Sequence, residues 1–259
     1  MLMEILVSLN NGVCELRLNR PAVFNSFNQA MAFELQKALN DAELNDEVRT
    51  IVITGEGKAF CAGQDLAEAM DPEGPELQAI VRDHYNPIIE RIRAIEKPII
   101  AAVNGVAAGA GANIALACDI TIAKKSASFI QAFSKIGLIP DSGGTFFLPR
   151  IIGMQKALAL MITGDKVSAE EAEKMNMIYK AVDDENFDQE IHNFALKIAK
   201  MPTKGFGLTK RALNLSLNNS LTEQLAVEEK LQTEAGQTHD FREGVNAFLE
   251  KRQPDFKGM

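Results

Sequence analysis

The sequence predicts an α/β core followed by a helical C-terminal part, and three observations carry that prediction. Short apolar runs of strand character alternate with helix-patterned segments through roughly residue 200. Two of those runs lead into glycine-rich turns, Ala59-Phe60-Cys61-Ala62-Gly63-Gln64-Asp65-Leu66 and Val103-Asn104-Gly105-Val106-Ala107-Ala108-Gly109-Ala110-Gly111-Ala112-Asn113. From Phe187 onward the pattern is helical, with one stripe formed by Phe187, Ile191, Phe194 and Ile198 and another by Phe241, Val245, Phe248 and Leu249.

Taken in order, Ile5 to Leu9 and Val13 to Leu18 are strand-like and flank Asn10-Asn11-Gly12, the composition of a hairpin turn. Asn28 to Leu44 reads as a helix with Met31, Leu35, Ala38, Leu39 and Ala42 on one face. Ile51-Val52-Ile53 is a short buried strand. Pro72, Gly74 and Pro75 mark a loop, and Leu77 to Ile95 is expected to be helical with a kink at Pro87. Pro98 to Val103 is apolar throughout, as in a strand covered on both faces. A helix of very small residues then ends near Cys118. Strands at Ile120 to Ala123 and Ser128 to Ile130 precede Gly137 to Gly144, a turn that opens another helix. Met201-Pro202-Thr203 is the expected boundary, giving a core over 1–200 and a helical region over 201–259, without an evident internal repeat.

Composition narrows the class. An apolar fraction of 46% and a charged fraction of 24% are those of a globular protein. A net charge of -8 and the lack of any Lys/Arg block argue against nucleic acid as a partner. The three cysteines, Cys14, Cys61 and Cys118, are odd in number and far apart, so neither a disulfide framework nor a metal site is expected. The strand pattern begins directly after Met1, no apolar run approaches the ~18 residues needed for a membrane span, and Lys257-Gly258-Met259 is not a peroxisomal address. A cytoplasmic protein is expected.

The chemistry starts from the two turns. Small residues let backbone N–H groups approach a ligand, and two such turns converging on one point can give two main-chain donors to a single oxygen. That arrangement suits an enolate. A dinucleotide fingerprint around Gly109-Ala110-Gly111 fails, because Ile114 stands where glycine or alanine is wanted and no acidic residue ends a strand about 20 residues on. A serine-hydrolase elbow is missing, and His84, His192 and His239 adjoin no candidate nucleophile in any known local pattern.

These turns, with Asp119-Ile120 and Ile139 to Thr145 after them, resemble the enoyl-CoA hydratase/isomerase superfamily, the crotonases. The similarity continues through Leu18-Asn19-Arg20-Pro21, Thr163-Gly164-Asp165, Ser168-Ala169-Glu170-Glu171-Ala172, Glu243-Gly244 and Phe248 to Arg252, covering nearly the whole chain. The resemblance implies a spiral of ββα units, a helical C-terminal region that mediates trimer formation, and trimers commonly stacked as a hexamer. It implies an acyl-CoA thioester as ligand, with CoA belonging to the substrate and no further cofactor or metal. The oxyanion hole would be the N–H groups of Gln64 and Ala110, flanked by Gly63 and Gly109. Ala22, Phe24, Ala62, Asp65 and Leu66 fall at matching ligand-side positions, and Phe248 and Lys251 match residues that reach CoA from a neighbouring subunit.

Two departures are informative. Family hydratases place glutamates where this chain has Asn113 and Phe133, so water addition loses its usual acid and base. Asp141 remains. By itself an aspartate before Ser142-Gly143-Gly144 reads as a helix N-cap. The run Phe133 to Gly144, with Phe60 to Leu66, Tyr85-Asn86-Pro87 and Asn104 to Ala112, is however similar to the ring-epoxide isomerase branch of the family, which acts in aerobic phenylacetate breakdown. There the aspartate is the acid/base. The expected function is therefore an acyl-CoA isomerase that shifts a double bond or rearranges a ring epoxide, with Asp141 catalytic and Phe133 an apolar wall. The alternatives are an enoyl-CoA hydratase of fatty acid β-oxidation and a catalytically inactive, crotonase-like binding protein.

Overall fold

The computed structural model describes residues 3–259. Local chemistry sets its first elements. Strands β1 (Ile5–Asn10) and β2 (Val13–Leu18) form the expected hairpin, whose turn residues Asn11 and Gly12 both have positive φ, at 51° and 80°. Helix α1 (Gln29–Leu44) starts where the Asn28 side chain accepts from the Met31 N–H, and it buries the face read from the sequence.

Three times the chain then runs from a strand of a large sheet into a strand of a small one. β3 (Thr50–Gly55) leads to β4 (Ala59–Cys61), β5 (Ile99–Val103) to β6 (Val106–Ala108), and β7 (Ile120–Lys124) to β8 (Ser128–Ile130). Helices follow each pair: α2 (Leu66–Ala69), α3 (Leu77–Ala79) and α4 (Asn86–Ala94) after the first, α5 (Ala110–Ala117) after the second, α6 (Gly144–Ile152) and α7 (Met154–Thr163) after the third. β9 (Lys166–Ser168), α8 (Ala169–Lys174) and β10 (Lys180–Val182) finish the sheets. The large sheet has order β1-β2-β3-β5-β7-β10 and is parallel except for β1. The small sheet has order β4-β6-β8-β9 and is parallel except for β9. This is a ββα repeat. Its small strands β4 and β6 lie inside the segments that the sequence presents as turns.

Alternation along the large-sheet strands divides the core. Ile51, Ile53, Ile99, Ala101 and Val103 pack with α1, α4 and α5 on one face. Val52, Ile100, Ala102 and Ile122 meet Phe187, Ile191, Ala195 and Ile198 of α9 (Phe187–Ala199) on the other. Helices α10 (Thr203–Ser216), α11 (Leu221–Gly236) and α12 (His239–Glu250) follow. The α12 stripe Phe241, Val245, Phe248 and Leu249 is exposed in the single chain. Among the described residues no helix is long and apolar enough to cross a membrane, and no acidic, histidine and cysteine cluster could hold a metal.

The kink expected at Pro87 takes a specific form. A π-helical stretch, Ile80–Tyr85, joins α3 to α4, and the Asn86 N–H reaches back five residues to the Val81 carbonyl. Proline has no N–H for the Asp83 carbonyl four residues behind it. The Gln36 side chain supplies the donor instead, bonding the Asp83 and His84 carbonyls at 2.8 and 3.1 Å.

Candidate active site

Both glycine-rich turns leave the C-terminal ends of neighbouring parallel strands, because β4 pairs with β6. Gly63 sits at φ 95° and Gly109 at φ 54°, ψ -127°, conformations that a side chain would strain. Gly63 also has no room for one: a Cβ there would lie 3.0 Å from the Ala108 oxygen and 3.5 Å from the Ala110 nitrogen. The turns thus touch, and the amides of Gln64 and Ala110 are brought together. Ala110 opens α5, where a first N–H has no intrahelical acceptor. Among the described residues the Gln64 N–H likewise donates to no protein acceptor.

The segment after β2 is laced onto the first turn. Ala22 lies in a 3-10 turn, Pro21–Val23, ahead of Phe24, and both are exposed. The Ala62 N–H donates to the Phe24 carbonyl at 3.0 Å, the Phe27 N–H to the Gly63 carbonyl at 2.7 Å and the Asp65 N–H to the Phe27 carbonyl at 2.8 Å. Buried Asn25 fixes that segment by donating to the Glu56 and Ala59 carbonyls. The Asp65 carboxylate pairs with Arg20 at 2.9 Å and caps α2 through the Ala67 N–H. Leu66, next in line, is exposed.

Asp141 reaches this region through α5 and α6. Its backbone carbonyl accepts from the Asn113 Nδ2 at 2.8 Å, and Asn113 stands one turn beyond Ala110 on the same helix. The N-cap of α6 is Gly143, not Asp141, and no side chain caps that helix. The Asp141 carboxyl instead accepts from the Ser142 Oγ at 2.8 Å. Burial pushes its pKa above the ordinary aspartate value, outweighing the Ser142 hydrogen bond that favours the charged form. No cation pairs with it among the described residues. Such a carboxyl is a stronger base than an exposed one and accepts a proton without losing an ion pair.

Phe133 is buried on a 3-10 segment, Ala132–Ile136, and its ring tip lies 3.9 Å from where a Gly109 Cβ would be. It is therefore a wall beside the second turn. The structure unites Gln64, Ala110, Gly63, Gly109, Ala62, Asp65, Leu66, Ala22 and Phe24 around the turns, and attaches Asp141 and Phe133 to the second of them. Phe248 and Lys251 are apart from this cluster on the terminal helix, Phe248 being 84% exposed and Lys251 closing α12 at φ 55°.

Other groups carry no comparable chemistry. Cys61 is buried beneath the first turn, and burial pushes its thiol up to about 12, so it holds its proton at neutral pH. His84 is buried edge-on against Phe33, while His192 and His239 face solvent. Two contributors escape a sequence reading. Ser142, at φ 51°, turns its hydroxyl onto Asp141. Buried Tyr85 donates to the Gln64 Oε1 at 2.8 Å and so orients the side chain of the first turn's key residue. Tyr85-Asn86-Pro87 draws notice in the sequence, but no local pattern says where its hydroxyl goes.

A family model described as enoyl-CoA hydratase/isomerase matches residues 8–259. The chain is 47% identical over 261 residues to the 1,2-epoxyphenylacetyl-CoA isomerase of Escherichia coli K12, covering 99% of this chain and 100% of that protein. It is also 47% identical over 250 residues, 96% of each chain, to a Rhodobacter capsulatus protein described as a probable enoyl-CoA hydratase. Among solved structures, an enoyl-CoA hydratase from Bacillus anthracis superposes with a TM-score of 0.92 at 34% identity, covering 99% of this chain and 100% of the other.

Proposed function

The chain belongs to the enoyl-CoA hydratase/isomerase family, and we propose that within it this protein is an acyl-CoA isomerase with Asp141 as its single acid/base. Its ββα spiral and helical C-terminal region are the crotonase fold. The observation that carries the reading is a half-buried carboxyl with a raised pKa and, among the described residues, no cationic partner, tied through its backbone carbonyl to the helix that begins at Ala110.

Asp141 takes a proton from C2 of a 3-enoyl thioester. The electron pair moves into the thioester carbonyl, and the dienolate oxygen accepts from the Gln64 and Ala110 N–H groups. Fixed donors of this kind lower such a barrier by about 3 to 4 kcal/mol each. The protonated carboxyl, which burial favours, then returns the proton at C4 and the conjugated 2-enoyl thioester results. Water is not consumed. With a ring epoxide the same amides polarise the thioester while the ring rearranges, and the 47% identity to the E. coli isomerase supports that substrate. Phe133 supplies an apolar wall for a ring or an alkyl chain. Ala22, Phe24, Ala62, Asp65 and Leu66 line the CoA approach, Phe248 and Lys251 reach CoA in a neighbouring subunit, and the helical region 201–259 carries trimer formation.

The equal identity to the Rhodobacter protein supports a second reading, a hydratase. Against it, neither the Asn113 amide nor the Phe133 ring exchanges protons with water at neutral pH. Incubation with 3-hexenoyl-CoA and with 2-hexenoyl-CoA, following conjugation and hydration separately, tests the choice. Isomerisation should dominate, and hydration of the 2-enoyl ester at an equal or greater rate would refute the proposal.

A further inference from the structure

Asn113 is a conspicuous residue: an amide on the second turn of the site, almost wholly buried, and on no path of the proton. Its hydrogen bonds have only one possible direction. The Asp141 carbonyl can only accept, so the group 2.8 Å from it must be the Asn113 NH₂. The Asn113 oxygen is then left to accept, and the Gln131 Nε2 donates to it at 2.8 Å. Gln131 is itself buried, and its own Oε1 meets no donor among the described residues. One end of that side chain goes unsatisfied while the other end holds Asn113. Gly144 closes a further side, where a Cβ would collide with the Asn113 Nδ2.

The Asp141 backbone has little else to hold it. Ser142 and Gly143 follow at φ 51° and 73°, so the peptide is outside any regular helix ladder. Its carbonyl accepts from the Gly144 N–H at 2.9 Å and from Asn113. The Gly144 bond is local and turns with the loop. Among the described residues, Asn113 alone ties Asp141 by a hydrogen bond to a separate, rigid element, and that element begins with the Ala110 N–H. Resting on the reading of Asp141 as the base, we propose that Asn113 is a positioning residue, which sets the distance between the base and the oxyanion donors. An ionised carboxylate at this position has no proton to donate to the Asp141 carbonyl.

Asn113→Asp keeps the size of the side chain and removes the donor, and Asn113→Leu removes both hydrogen bonds. With 3-hexenoyl-CoA, kcat should fall roughly 10- to 100-fold, as a displaced base would give. KM, and the Kd for the saturated hexanoyl-CoA, should stay within about twofold, because the amides of Gln64 and Ala110 still bind the thioester. In an Asp141→Asn background, Asn113→Asp should lower the residual rate no further, since it acts only through Asp141. Unchanged kcat in a folded variant, or a full multiplicative loss in the Asp141→Asn background, overturns the proposal. If neither Asn113 variant folds, Gln131→Met, which frees the amide to turn, should still lower kcat about threefold to tenfold, and an unchanged rate there overturns it equally. An active Asp141→Asn protein instead overturns the assignment of the base, so the two failures are distinct.

Discussion

Asp141→Asn should sharply slow turnover while leaving fold and ligand affinity in place. Asparagine keeps an oxygen for the Ser142 hydroxyl, 2.8 Å from the carboxyl in the native chain. The Asn113 bond goes to the backbone carbonyl and is untouched. Because Gly143 caps α6, no helix cap is lost. The sign of the stability change follows from burial. The folded carboxyl holds its proton to a higher pH than the unfolded one, so between the ordinary aspartate range and the raised value the native state binds more protons. Stability contributed by the neutral carboxyl is present below the unfolded pKa and is lost as pH rises through the folded one. Above the folded pKa the native chain carries a half-buried charge that the variant lacks. Its Tm should therefore be unchanged or higher, whereas loss of a cap would cost about 1 kcal/mol, or roughly 2–4 °C in a chain of this size. Removing the base should slow isomerisation roughly 10²- to 10⁴-fold, equivalent to about 3 to 5 kcal/mol of barrier. Thermal melting, hexanoyl-CoA titration and turnover of 3-hexenoyl-CoA on one preparation give all three quantities. A well-folded variant with full activity would refute the assignment of the chemistry to Asp141, and a Tm several degrees lower would restore a structural role.

Two further expectations concern pH and assembly. Since the base must be ionised, activity should be lost as pH falls through the folded pKa of Asp141, and the acid limb of kcat/KM should lie above the ordinary aspartate value of 3.8. Ser142→Ala removes the hydrogen bond that favours the charged form and should move that limb to higher pH; a limb that stays or moves down contradicts the geometry. The exposed stripe Phe241, Val245, Phe248 and Leu249 on α12 should be covered by association into a trimer or a stack of trimers. Light scattering that finds a stable monomer at micromolar concentration would count against this.

Much of the fold is written locally. The Asn10-Asn11-Gly12 turn, the α1 face from Met31 to Ala42 and the apolar strands β3 and β5 are set by residues adjacent in sequence, through allowed φ and side-chain periodicity. The two glycine-rich turns were legible for the same reason, as was Asp141 as a lone carboxylate in a suggestive setting. β4 and β6 were not, because three residues are too few to display a period. The cap of α6 was misleading: an aspartate in a turn suits an N-cap, yet Gly143 holds that position and frees the carboxyl. The sequence by itself thus determined the parts, including both turns and the amide and phenyl groups at 113 and 133. Only the tertiary structure decided their relations. Gly63 lies beside Ala108 and Ala110 because β4 pairs with β6, and Asn113 meets Asp141 because α5 packs on α6. Such distances between residues far apart in the chain depend on sheet register and helix packing, which are properties of the whole core.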